Sequence, residues 1–100
     1  MGSWANRAID HLREGQKTKI KPHGGSMKPL VMSGAEVIVA KQATYEVGDI
    51  VLVRVKGNVY LHLIKATQGG RFQIGNNRGG INGWVGPKAI YGKAIEIENP

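Results

Sequence analysis

Residues 49–66 read DIVLVRVKGNVYLHLIKA, two runs of β-branched and other apolar residues on either side of a short polar turn. Such runs favour strands, and the Lys56-Gly57-Asn58 turn is short enough to make them antiparallel neighbours. We therefore predict a hairpin in which Ile50–Val55 pairs with residues 59–65.

Short β-favouring runs punctuated by glycine continue on both sides of this hairpin, and no long helical period follows residue 16. The pattern predicts an all-β region with strands at residues 18–21, 36–41, 49–56, 58–66, 71–75 and 88–97. Residues 75–83, GNNRGGING, contain too much glycine and asparagine for a regular strand. We expect a loop there.

The first residues have the pattern of a short amphipathic helix, from Ser3 as its cap to Gly15 as its end. We expect the helix to lie on the edge of the β core, with an interfacial membrane anchor or a partner-binding helix as the alternative. We expect a single compact domain overall, in which this helix, residues 1–15, precedes the β region, residues 16–100. The apolar stripe of the helix comprises Trp4, Ala8, Ile9 and Leu12.

The composition restricts the function. The 100 residues include 14 Lys and Arg against 7 Asp and Glu, and this net charge of +7 favours anionic partners. The chain has no cysteine, which excludes disulfides, thiolate zinc sites and a cysteine nucleophile. No apolar run approaches the roughly 20 residues that cross a bilayer. We expect a cytoplasmic protein, with peripheral membrane contact through the helix as the alternative.

A candidate nucleophile, Ser26, follows the first predicted strand within His23-Gly24-Gly25-Ser26-Met27. Two glycines before a serine let the backbone approach another chain closely, and their N–H groups can face a developing oxyanion. A glycine-glycine-serine turn alone is also compatible with an ordinary turn. The features that follow Ser26 along the chain add weight to it.

Those features are an apolar run at 37–40, a Gly48-Asp49 turn, the hairpin with His62 on its second strand, and finally Gly75-Asn76-Asn77. In this order the sequence resembles the catalytic domain of the superfamily of signal peptidases and LexA-type repressors, over about residues 24–97. The resemblance implies a mainly β, barrel-type fold of short strands with one N-terminal helix.

The resemblance also implies residue roles. A Ser-Met pair supplies the nucleophile in that superfamily, and the general base follows on the hairpin, usually lysine but histidine in archaeal and endoplasmic-reticulum signal peptidases. Carried over, Ser26 is the nucleophile, His62 the base, and Gly24 with Gly25 the turn that presents oxyanion donors. A serine hydroxyl needs such a base, and an imidazole that titrates near neutrality suits the task.

Two alternatives to this assignment stay open. Lys65 is a candidate base, but residues 62 and 65 point to opposite faces of a regular strand, so Lys65 would need a bulge. His62 is alternatively a half-buried strand histidine without a catalytic role.

The sequence departs from the superfamily at the third catalytic position. Histidine-type signal peptidases are expected to place an aspartate in or just after a Gly-Asp-Asn loop, whereas this chain has no carboxylate between Arg71 and Tyr91. An asparagine can orient a histidine but cannot neutralise an imidazolium. The candidates for this orienting role are Asn76, Asn77 and Asn82.

The resulting hypothesis is a small serine endopeptidase that cleaves another protein, with no metal or cofactor. The chain has no Ala-Gly pair, no room for a helix-turn-helix domain and no membrane anchor, which argues against repressor self-cleavage and against membrane-embedded signal-peptide cleavage. By family analogy the substrate lies extended as an added strand. Met27, Val37 and Val39 are the expected wall of its binding site.

The alternative function is a catalytically weak or inactive relative that acts as a basic binding or regulatory module. The net charge and the missing carboxylate motivate it, with nucleic acid or an acidic protein as the partner. The chain has few aromatic residues for base stacking, which argues against single-stranded nucleic acid.

Overall fold

The computed structural model describes the backbone of residues 3–100 and the side chains of residues 5–100. This part of the chain forms one α-helix, seven β-strands and a short 3-10 helix at Pro87–Ala89. In chain order the other elements are α1 (Ser3–Arg13), β1 (Thr18–Ile20), β2 (Glu36–Ala40), β3 (Ile50–Val55), β4 (Asn58–Gln68), β5 (Arg71–Gly75), β6 (Ile81–Val85) and β7 (Ile90–Glu98).

All seven strands form one antiparallel sheet in the order β1-β2-β7-β3-β4-β5-β6. The prediction of a mainly β fold is confirmed, and the sheet is not closed. Strand β7, the last along the chain, lies between β2 and β3 and so joins the first two strands to the hairpin.

The predicted hairpin is confirmed as β3 and β4, which pair from Ile50 opposite Leu63 to Val55 opposite Asn58. The turn residues Lys56 and Gly57 both have positive φ, 51° and 88°. Two consecutive residues of positive φ suit a tight turn whose twist matches that of the strands, which explains the short connection.

Strand β4 is the longest strand and changes partners along its length. Residues 58–63 pair with β3, whereas residues 63–68 pair with β5. On the side away from β3, residues 58–62 therefore have no strand partner within residues 3–100. The β4–β5 register also shifts between Ile64 and Ala66, which makes Lys65 the extra residue of a bulge.

The helix closes one face of the sheet. Its apolar stripe of Ala8, Ile9 and Leu12 is at most 3% exposed and packs in the same cluster as β2, β3 and β4 residues. Gly15, at a φ of 81°, ends the helix as predicted. The side chains of Ser3 and Trp4, the expected cap and the first member of the stripe, lie outside the described residues. Among the described residues, no helix combines the length and the apolar character that crossing a bilayer requires.

The expected loop at residues 75–83 is correct only in its centre, because β6 begins at Ile81. The sequence pattern did not predict this strand, because its first residues, Ile81-Asn82-Gly83, include a register shift. Ile81 lies opposite Gly75 and Gly83 opposite Ile74, so Asn82 is an extra residue without a cross-strand partner. Asparagine and glycine tolerate this bulge although they disfavour a regular strand.

A substitution of Gly92 in β7 tests how closely β7 and β2 pack. A Cβ at this position would lie 2.8 Å from Val39 Cγ1 and 3.0 Å from the Ala40 carbonyl oxygen. Gly92→Ala should therefore cost about 1–3 kcal/mol of unfolding free energy, which lowers Tm by roughly 4–8 °C per kcal/mol for a domain of this size.

Gly86→Ala is the matched control, because its Cβ meets nothing within 4 Å and its φ is −84°. The Gly86→Ala variant should leave Tm nearly unchanged when the Tm of both variants is measured by calorimetry. Equal Tm values for the two variants would contradict the packing at Gly92.

Candidate active site

Ser26 and His62 meet although 36 residues separate them: Ser26 Oγ lies 3.2 Å from His62 Nε2. Ser26 lies in the turns between β1 and β2, where Gly24 has a φ of 111° that suits glycine. His62 lies on β4 immediately before the point where β5 begins to pair, and it is 7% exposed. The Tyr60 ring stacks on the imidazole at 4.7 Å and 18°, which fixes the plane of the ring.

The other imidazole nitrogen contacts Asn82, whose Oδ1 lies 2.7 Å from His62 Nδ1. An amide oxygen only accepts hydrogen bonds, so Nδ1 carries the proton of the neutral ring and donates it to Asn82. Nε2 is then left with a free lone pair directed at the Ser26 hydroxyl. This is the tautomer that a general base for serine requires.

Burial lowers the pKa of His62 below its ordinary value of 6.5, while the hydrogen bond to Asn82 acts in the opposite direction. Burial lowers it because the charged imidazolium loses hydration. The net shift is downward. At neutral pH the ring is therefore in the neutral form that accepts a proton.

The other two asparagines that we considered for orienting His62, Asn76 and Asn77, have different contacts. Asn77 donates its backbone N–H to the Ser26 carbonyl at 2.9 Å and its side-chain amide to the Lys28 carbonyl at 2.8 Å, which ties the loop to the serine turn. Asn76 Oδ1 accepts the N–H groups of Arg78 and Gly80, at 2.9 Å and 2.8 Å. Of the three asparagines, only Asn82 bonds to His62.

Lys65, the alternative base, lies in the β4 bulge that such a role would require. Its ammonium group nevertheless donates to the Asn76 carbonyl oxygen at 2.9 Å, and it is the imidazole of His62 that contacts Ser26. Lys65 therefore supports the loop that begins at Asn76.

The expectation for the glycine turn needs a correction at Gly24. Its N–H donates to Ser33 Oγ at 3.1 Å, so it is not free to bind an oxyanion. The N–H groups of Gly25 and Ser26 have no protein acceptor in the described part of the chain. These two amides are therefore available as oxyanion donors.

A cavity of about 470 Å³ opens beside the Ser26–His62 pair. Its lining includes residues 21–24, which follow β1, and residues 59–62 from the unpaired half of β4. Further lining residues are Met27, Val31 and Met32, so the cavity is mainly apolar, and none of its lining residues is acidic.

The expected substrate wall needs a second correction. Met27 lines the cavity, but Val37 and Val39 are fully buried in the core. Strand β2 also pairs with β1 on one side and with β7 on the other, so it has no free edge for a further strand. The strand that lines the cavity is β4, the second strand of the hairpin, and not β2.

A family model of peptidase S24-like proteins matches residues 7–78, well over half of the chain. The chain belongs to the peptidase S24-like family. This finding confirms the resemblance to the superfamily of LexA-type repressors and signal peptidases. No curated protein matches the chain significantly. The family match includes Ser26 and His62 and ends before Asn82.

The sequence did not single out two side chains near this site. Tyr60 precedes His62 by two residues, and this spacing on a strand places both rings on one face. Arg78 lies beside the serine turn, with Nη1 3.8 Å from a Cβ built on Gly25. No sequence signal singles out Arg78, because its position depends on the fold of the 76–80 loop.

The lowered pKa of His62 predicts a loss of stability in acid. The unfolded chain, with a pKa near 6.5, binds more protons than the folded chain between that value and the lower folded pKa. The contribution of neutral His62 is complete above pH 6.5 and is lost as the pH falls through the folded pKa. Urea unfolding from neutral pH to about pH 5 measures this loss.

His62→Gln should remove this part of the acid dependence, because glutamine does not titrate. His23→Gln, at an exposed histidine, is the control and should retain the wild-type loss. Equal acid losses in the wild-type and His62→Gln proteins would contradict the burial of a neutral imidazole.

Proposed function

We propose that this S24-like protein is a serine peptidase in which Ser26 is the nucleophile, His62 the general base and Asn82 the residue that orients the base. The observation that carries the proposal is the 3.2 Å contact between Ser26 Oγ and His62 Nε2. The hydrogen bond from Nδ1 to Asn82 supports it, because this bond selects the productive tautomer.

The reaction follows from these contacts. Ser26 Oγ transfers its proton to His62 Nε2 as it attacks the peptide carbonyl carbon, and the carbonyl oxygen becomes an oxyanion. The N–H groups of Gly25 and Ser26 receive that oxyanion. The imidazolium then protonates the leaving amine, which leaves an acyl group on Ser26, and water activated by His62 releases it.

The substrate binds as an extended segment along the unpaired edge of β4, residues 58–62. No strand among residues 3–100 pairs with this edge, so it offers its backbone N–H and C=O groups to the substrate. The edge ends at His62, next to the nucleophile. The adjoining cavity accepts apolar side chains between residues 21–24 and the β4 edge. Backbone pairing thus positions the peptide, and the cavity selects its side chains.

Asn82 limits the rate of this reaction. An imidazolium forms during each acyl transfer, and a neutral amide orients it without neutralising its charge. Burial disfavours that charged form further, as the lowered pKa of His62 indicates. We expect slow turnover compared with a triad that contains a carboxylate.

Two cationic side chains, those of Lys28 and Arg78, lie close to the serine turn. A Cβ built on Gly25 would lie 3.5 Å from Lys28 Cε and 3.8 Å from Arg78 Nη1. Neither cation forms a salt bridge in the described part of the chain, and the cavity-lining residues contain no carboxylate. The substrate therefore carries an acidic side chain where it leaves the cavity past Ser26.

Labelling with a fluorophosphonate tests the nucleophile without a known substrate. We expect one covalent adduct, located on Ser26 by peptide mapping, and none in Ser26→Ala. His62→Gln should slow labelling by about a hundredfold or more, because the base contributes at least that factor. His11→Gln, at a histidine that bonds to Thr18 and not to Ser26, is the matched control and should label at the wild-type rate.

Absence of any adduct on Ser26 in folded protein would contradict the proposal. The inactive basic binding module would then be the better explanation, and salt-dependent binding to acidic polymers would test it.

Peptide libraries test the expected charge preference. Paired peptides with Asp or Lys next to the scissile bond should differ by about tenfold in kcat/KM in favour of Asp, given the strength of charge pairs near a protein surface. Arg78→Glu should abolish or reverse that ratio. Lys88→Glu makes the same change in net charge at a residue of the 3-10 helix that is not among the neighbours of Gly25, and it should preserve the ratio. Equal cleavage of both peptides would contradict the role of Arg78.

A further inference from the structure

Asn82 is followed by Gly83, and this is the only Asn-Gly pair in the chain. Asparagine before glycine is the sequence most prone to lose its side-chain amide, because glycine lacks the Cβ that hinders attack by its own backbone nitrogen. The reaction converts asparagine to an acid. In this protein deamidation would act on Asn82, which bonds to His62 in place of the carboxylate that the sequence lacks.

A regular strand usually protects asparagine from this reaction. The backbone around Asn82 departs from a regular strand and therefore favours the reaction. Asn82 is the extra residue of the β6 bulge, and β6 is an edge strand of the sheet. Gly83 has a φ of 146°, outside the range of a regular strand. Asn82 is only half-buried, so water can reach it.

His62 also activates the amide. The 2.7 Å contact from Nδ1–H to Asn82 Oδ1 polarises the side-chain carbonyl group. A polarised carbonyl carbon is more electrophilic, and this carbon is the atom that the Gly83 nitrogen attacks. The contact that orients the imidazole thus promotes the chemical change of Asn82.

We propose that Asn82 deamidates spontaneously and that the resulting aspartate completes a Ser26–His62–carboxylate triad; the second part rests on the proposed peptidase function. The Gly83 nitrogen bonds to Asn82 Cγ as ammonia leaves, which forms a five-membered succinimide. One water molecule then opens the ring. Opening at the backbone carbonyl yields isoaspartate, and opening at the side-chain carbonyl yields aspartate.

The aspartate product changes the chemistry of His62. A carboxylate oxygen in the position of Oδ1 keeps the hydrogen bond to Nδ1 and adds a negative charge that stabilises the imidazolium. Isoaspartate lengthens the backbone by one carbon, so it moves its carboxylate away from Nδ1. Only the aspartate fraction is therefore activated.

Incubation of the full-length folded protein in mildly alkaline buffer tests the modification. Trypsin releases residues 79–88, which contain Asn82 as their only asparagine, and residues 72–78, which contain Asn76 and Asn77. We expect the amide-to-acid mass gain to accumulate in 79–88 well before 72–78, compared with a sample digested at time zero. Equal or slower accumulation in 79–88 would overturn the proposed site.

The fluorophosphonate labelling rate of Ser26 tests the functional consequence. Labelling of the wild-type protein should rise during incubation toward the rate of Asn82→Asp, whereas Asn82→Gln, which lacks the readily deamidated pair, should stay at its initial rate. Deamidation to aspartate without faster labelling would overturn the completion of the triad.

The two failures are distinguishable by the Asn82→Asp variant. If Ser26 labels in no variant, Asn82→Asp included, the peptidase function fails together with the completed triad, while the mass measurement still decides the modification on its own.

Discussion

The change of partners along β4 is the constraint on which the site depends. Leu63 pairs with both Ile50 of β3 and Gly75 of β5, and β4 has only one partner before this residue. His62 precedes it directly, so its backbone belongs to a rigid hairpin while one flank stays open. Because β5 ends at Gly75, the chain can turn through residues 76–80 and return as β6 beside the imidazole.

Close approach at Gly75 holds this arrangement. A Cβ on Gly75 would collide with the Gly80 carbonyl oxygen, and the Asn76 N–H donates to that same oxygen at 2.9 Å. The loop is therefore tight, and Asn77 fixes it to the serine turn. One short loop thus connects the turn that holds Ser26 to the strand whose Asn82 bonds to His62.

Much of the fold was predictable from the sequence. The hairpin followed from its β-branched runs and its glycine turn, and the helix from its apolar stripe, since both signals are local. Strand β6 was not predictable in the same way, because an edge strand with a bulge at Asn82 lacks alternation. The buried position of β2, which excludes it as a substrate wall, depends on β7 pairing from the far end of the chain.

The site was predictable in its residue types more than in its contacts. Motif order singled out Ser26 and His62, whose 3.2 Å contact is set by the fold. Three asparagines were equivalent in sequence, and only the bulge in β6 decides which one bonds to His62. Lys65 shows the converse, because the bulge that it needed is present and directs its ammonium group to Asn76.

The open flank of β4 has a consequence for how the protein behaves in concentrated solution. An unpaired strand edge accepts any extended chain of suitable shape, and a second copy of this protein is one of them. Association of copies through residues 58–62 would cover the groove beside Ser26. Self-association through this edge and pairing with another extended chain there would then be mutually exclusive, so crowding would reduce the fraction of molecules whose edge is free.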